Sequence, residues 1–234
     1  MSTTTTPLLQ DAAFDAADAV LHLDPFAFFL AHGVLADSDR ECLAEDFPNY
    51  PSAGFFPYDA DDCGPSVSAL VEEITSEAFA DRVGEKLGID HLGQYPTLVT
   101  LCRLLNLRHG TIHTDSRSKV ATALIYLNES WPDENVGGSL RFLSKIDDID
   151  AMLMPEIKPL YGNFVVFRRA DNSFHGHLPH EGERRVIQVA WLTSEDEKLR
   201  KTQRGKFSRV FKKLFGALDR RIGAGRDRSA SHHD

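Results

Sequence analysis

Five short apolar runs limit what this chain can fold into. They are Leu98–Leu105, Val120–Leu127, Ser139–Leu143, Asn163–Phe167 and Arg185–Trp191, each five to eight residues long. Turn signals such as Gly137-Gly138 and Tyr161-Gly162-Asn163 separate them. Strands of that length and spacing build a sandwich or barrel, whereas βαβ units would need helical patterns between them. The preceding sequence has a different texture. Leu70, Val71, Ile74, Phe79, Val83 and Leu87 recur near a 3.6-residue period, and Gly88 is placed to end that helix. Residues 11–24 have apolar positions suited to a short helix, Phe26–Leu30 reads as an early strand, and Asp37-Ser38-Asp39 offers an N-cap for a helix through Leu43 and Phe47. The long Pro-, Gly- and Asp-rich stretch from Asn49 to Pro65 has loop composition and is a candidate cover, as is Glu129–Asn135.

The expected fold is therefore mainly β with α (α+β). Residues 1–95 supply N-terminal supporting helices and a lid loop, 96–195 the β core, and 196–234 a basic C-terminal helix and tail. In that tail Phe207, Val210, Phe211, Leu214, Phe215, Leu218 and Ile222 share one helical face.

Charge narrows the partners. From Lys198 onward there are 12 basic and three acidic residues, a net of +9, so the body before it carries −18 of the total −9. An acidic body does not match the basic face that phosphate backbones require, and no nucleic-acid partner is expected. The basic tail suggests a homodimer contact or an anionic membrane surface. No apolar run approaches the roughly 18 residues of a membrane span. Cys42, Cys63 and Cys102 have no common spacing, which fits reduced thiols and a cytoplasmic location.

The chemistry concentrates between His109 and Trp191. In an extended segment residues two apart share a face, so His113 and Asp115 can meet one metal while Thr114 turns away. A distant His175 would complete the two-histidine, one-carboxylate set of non-haem Fe(II) oxygenases, which leaves open positions for cosubstrate and O2. His177 competes with His175, because His175-Gly176-His177 puts two imidazoles two residues apart.

Six ordered motifs add to the triad: His113-Thr-Asp115, Tyr126-Leu-Asn128, Gly137-Gly-Ser-Leu140, Pro159-Leu-Tyr-Gly162, His175 with Pro179, and Gly182-Glu-Arg184. In this order they resemble the prolyl-4-hydroxylase-like branch of the Fe(II)/2-oxoglutarate-dependent dioxygenases. The resemblance implies a double-stranded β-helix (jelly-roll, cupin-like) core. It implies His113, Asp115 and His175 as iron ligands, with 2-oxoglutarate as cosubstrate, O2 as oxidant and ascorbate as a candidate reductant. The implied reaction is hydroxylation of a prolyl, peptidyl or small-molecule substrate with release of succinate and CO2. A basic residue on the last strand would bind the far carboxylate of 2-oxoglutarate. The Gly-x-Arg match and the nine-residue step from His175 favour Arg184, counting back from Trp191 favours Arg185, and alternation turns only one of them inward. Tyr126 matches a position that bonds the same carboxylate, although an aromatic side chain there also fills a barrel. The tyrosine that relatives often place ahead of the His-x-Asp is absent from Asn106–Gly110. The competing readings are a non-redox metal-dependent jelly-roll enzyme and a catalytically silent binding protein.

Overall fold

A computed structural model describes residues 7–132 and 137–203. Nine strands form two sheets: β1 (Val20–His22), β2 (Phe28–Ala31), β3 (Phe55–Pro57), β4 (Thr97–Leu105), β5 (Lys119–Tyr126), β6 (Arg141–Leu143), β7 (Phe164–Arg168), β8 (Phe174–Gly176) and β9 (Gly182–Leu192). The major sheet runs β1-β2-β7-β5-β9-β4-β3, antiparallel throughout, and the minor sheet pairs β6 with β8. An isolated bridge between His113 and His175 adds the segment before β5 to the edge of the minor sheet. This is the mainly β arrangement expected from the spacing of the runs, and the jelly roll that the family resemblance implies.

The major sheet is covered on both sides, which is why its strands read as nearly continuous apolar runs. Along β5, Ala121, Ala123 and Ile125 join a core shared with the helices, whereas Leu124 and Tyr126 face the space between the sheets. Along β9, Ile187, Val189 and Trp191 belong to the first core and Val186 to the second. Period-two alternation thus gives the sheet one face for support and one for the site.

Support comes from α1 (Arg40–Asp46), α2 (Pro65–Ile74) and α3 (Glu77–Leu87). The apolar period over 66–87 predicts one helix, but two form. Thr75 Oγ1 turns back to the Val71 carbonyl, and Ser76 accepts a hydrogen bond from the Phe79 amide, so the chain stops and recaps. Gly88 ends α3 in the left-handed conformation, φ 65°. Asp37–Asp39 forms a 3-10 turn leading into α1, with no side-chain cap bond. Residues 11–15 make a 3-10 turn instead of a helix, and β1 follows. The middle of the 49–65 loop is an edge strand, β3, because the buried Phe56 and Pro57 pair with β4.

Gly84 shows how closely helix and loop pack. A Cβ there would lie 2.5 Å from the Ile89 carbonyl oxygen and 2.9 Å from Leu92 Cβ. Gly→Ala inside a helix normally stabilises by about 1 kcal/mol. Here backbone overpacking of about 1–3 kcal/mol opposes that gain. Gly84→Ala is therefore expected to lower the urea midpoint, and a raised midpoint would show that the α3–Leu92 contact yields easily.

Residues 195–203 are helical. The apolar face at 207–222 lies outside the described residues. No helix among the described residues is long and apolar enough to cross a membrane.

Candidate metal and cosubstrate site

The His113–His175 bridge sets the site. Each residue's amide bonds to the other's carbonyl at 3.0 Å, which brings residues 62 positions apart face to face. Ligand atoms of His113, Asp115 and His175 all lie within 4.8 Å of one another, and this is the one group of three or more such side chains among the described residues able to hold an ion together. His177 stands outside that group. It continues the pairing, with its amide on the Gly110 carbonyl at 3.1 Å, and its ring packs against Gly110.

Both histidines of the trio are held in the same way. Nδ1 of His113 lies 2.9 Å from the Thr111 carbonyl, and Nδ1 of His175 lies 2.9 Å from the Ser173 carbonyl. A carbonyl only accepts, so each Nδ1 carries a proton, and in the neutral form of such a ring Nε2 keeps a free lone pair. That tautomer is the one a metal-binding imidazole needs. Burial, then the neighbouring His113, pushes the His175 pKa down to about 4, so its ring is neutral at ordinary pH. Phe167 packs on the His175 ring with centroids 4.5 Å apart, and Phe142 pairs with His175 across β6–β8.

Asp115 is buried. Burial disfavours its charged form, but attraction from Lys119 and His175, with hydrogen bonds from Lys119 and Thr122, outweighs that. The carboxyl is held well below the usual carboxylate range. Lys119 Nζ sits 2.7 Å from Oδ1, and Thr122 Oγ1 donates to Oδ2. Neither residue was identified from the sequence. The available signal was Thr122, which lies on the same face of β5 as Tyr126.

At the other end of that face is Arg184. Its Nε donates to the Gly138 carbonyl at 2.8 Å, and a terminal nitrogen donates to the Tyr126 hydroxyl at 3.2 Å. Gly138 has φ 78°, and a Cβ there would lie 2.9 Å from the Trp131 ring, so the Gly-Gly turn supplies a carbonyl where a side chain does not fit. Burial raises the Tyr126 pKa against the opposing charge of Arg184, and the hydroxyl remains a neutral donor. Arg184 is 3% exposed. No carboxylate among the described residues is in ion-pair reach of it. Arg185 lies on the opposite face of β9, bound to Glu183 and the Ala44 carbonyl. Asn128 clasps the same strand, accepting from the Arg185 amide and donating to the Pro159 and Arg185 carbonyls. Thr122 and Tyr126 are four residues apart on β5, so the two ends of the site are separated by about 13 Å of strand.

Two histidines and a carboxylate with oriented imidazoles are a donor set suited to Fe(II), and the buried guanidinium suits a carboxylate. Residues 102–193 match the sequence profile of the 2OG-Fe(II) oxygenase superfamily. No curated protein sequence matches the chain. Among solved structures, the chain is similar to a prolyl-4-hydroxylase of Pseudomonas putida, with 20% identity, 78% of this chain and 98% of that chain covered, and a TM-score of 0.53. It is also similar to a viral collagen prolyl hydroxylase of Paramecium Bursaria Chlorella virus-1 (19%, 76% and 96%, 0.51). A Trichoplax adhaerens prolyl hydroxylase in complex with a hypoxia inducible factor peptide fragment gives 16%, 74% and 86%, and 0.50. Residues 102–193 are thus similar to the 2OG-Fe(II) oxygenase superfamily, and the chain has the fold of the prolyl-4-hydroxylases.

Proposed function

We propose that this protein hydroxylates an unactivated C–H bond of a prolyl, peptidyl or small-molecule substrate, converting 2-oxoglutarate and O2 to succinate and CO2. The observation that carries the reading is Arg184, a buried cation at the opposite end of the β5 face from the triad, with no described carboxylate beside it. An unpaired buried charge is costly, and a bound dianion would supply the missing partner.

In this reading Nε2 of His113, Nε2 of His175 and one oxygen of Asp115 hold the metal. Arg184 and the Tyr126 hydroxyl hold the far carboxylate of the cosubstrate, the arginine through its planar fork and the phenol as a neutral donor. Leu124, Val186 and Phe142, buried in the inter-sheet core, exclude water between the two ends. When bound, Fe(II) and 2-oxoglutarate supply the O2 activation, one oxygen atom going to succinate and the other to the substrate. The solved relatives act on prolyl substrates by name, so prolyl peptides are the first class to assay. The acidic body disfavours strongly acidic substrates.

Fe(II) and 2-oxoglutarate added anaerobically are expected to give the weak visible charge-transfer band of the chelate, and succinate should follow on admitting O2 with substrate. A non-redox enzyme or a silent binding protein predicts no band. Failure to develop it, with Fe(II) shown to be bound, would remove this reading.

A further inference from the structure

Asp115 has a cation on it. The Lys119 ammonium is 2.7 Å from Oδ1, with the two side chains only 14% and 9% exposed. Two further cations stand behind the same loop. Arg169 donates from Nε to the Asp115 carbonyl at 3.2 Å, and Lys201, from the C-terminal helical segment, donates to Ser116 Oγ at 3.1 Å. The site's one carboxylate is therefore shared between Lys119 and any metal bound there. We propose that Lys119 is a positioning residue that tunes the metal. It holds the Asp115 carboxylate in place when the site is empty, and by charge repulsion it keeps the affinity for a divalent cation below what the three ligands would otherwise give, so that the metal stays exchangeable. The inference rests on reading His113, Asp115 and His175 as the metal site.

Two effects of Lys119 oppose each other, and their sizes decide the sign. Fixing the carboxylate favours metal binding, but Thr122 still grips the other oxygen when the lysine is removed, so little order is lost. Repulsion between a monovalent and a divalent cation on one carboxylate is strong in a site this dry, because little water screens it. Removing the charge while keeping the bulk should therefore tighten binding.

The probe is Mn(II) alone, followed by electron paramagnetic resonance and calorimetry with no cosubstrate, so that turnover plays no part. Lys119→Met is expected to bind Mn(II) about 10-fold more tightly than the natural protein and to release it more slowly to a chelator. Lys119→Arg, which keeps the charge, should stay within about threefold. Lys119→Gln is measured alongside as a second uncharged variant, and far-ultraviolet circular dichroism confirms folding of each. Unchanged or weaker Mn(II) binding by a folded uncharged variant overturns the proposal. If the natural protein binds no Mn(II) that His113→Ala removes, the reading of the triad fails instead, which is a different result from Lys119 having no effect.

Discussion

His113→Ala is expected to abolish succinate formation and leave the fold intact. The two halves of that result separate a metal ligand from a structural histidine. The His113 side chain is exposed, and the bridge to His175 uses backbone atoms that alanine retains. Little packing is lost, so the melting temperature of the metal-free protein should hardly move. Metal affinity should fall much further than the 10–100-fold typical of residues that only support ligands, because a donor atom itself is gone. Asp115→Ala should also remove turnover, but with a visible cost in stability. It leaves the Lys119 ammonium buried without its anion and Thr122 Oγ1 without its acceptor. Stranding one partner of a buried pair costs about 3–5 kcal/mol. Chemical denaturation of both variants, with succinate measured by mass spectrometry, checks the contrast. Normal turnover in either one sinks the assignment of the triad.

The sequence carried the site's components more clearly than their arrangement. Alternation along β9 says that only one of Arg184 and Arg185 faces inward, but choosing between them needs the register of β9 against β5. Val186 stands opposite Tyr126, and that pairing puts Arg184 beside the Tyr126 hydroxyl. Alternation could not separate His175 from His177, since residues two apart share a face. The spacing of His175 to Pro179 in the family motif favours His175, and the structure adds what that motif does not contain, the pairing of His175 with the distant His113. Lys119 was missed for a related reason. It comes four residues after Asp115 in a stretch that is not helical, and only the turn between them folds the ammonium back onto the carboxylate. Strands β1 and β3 are three residues long, too short to show a period, and β3 lies in a stretch whose composition reads as loop. The helical pattern over 66–87 correctly gave the buried face but not the break at Thr75-Ser76, where two hydroxyls compete for the backbone.

Arg184→Met should separate cosubstrate binding from stability more sharply than any other change in the site. In the cosubstrate-free protein the guanidinium is buried, and among the described residues it is bonded only to a carbonyl and a neutral hydroxyl. Replacing an unpaired buried charge with an apolar side chain of similar length removes a desolvation cost, so the unliganded variant is expected to be at least as stable as the natural protein. Binding of 2-oxoglutarate should suffer strongly. Removing one partner of a buried charge pair costs about 3–5 kcal/mol, which at 1.4 kcal/mol per decade is two to more than three decades in the dissociation constant. Added 2-oxoglutarate with Mn(II) should then raise the melting temperature of the natural protein but not of Arg184→Met, since only a ligand bound to the folded state stabilises it. Arg185→Ala is the control within the same strand. Its side chain is bound to Glu183 at a half-exposed position, and such pairs are worth at most about 1 kcal/mol. Its 2-oxoglutarate affinity should change less than about threefold, below half a decade. If the two arginines behaved alike, or Arg185 carried the larger effect, the far carboxylate would sit on the other face of β9, and the cosubstrate pocket proposed between β5 and the minor sheet would have to be abandoned.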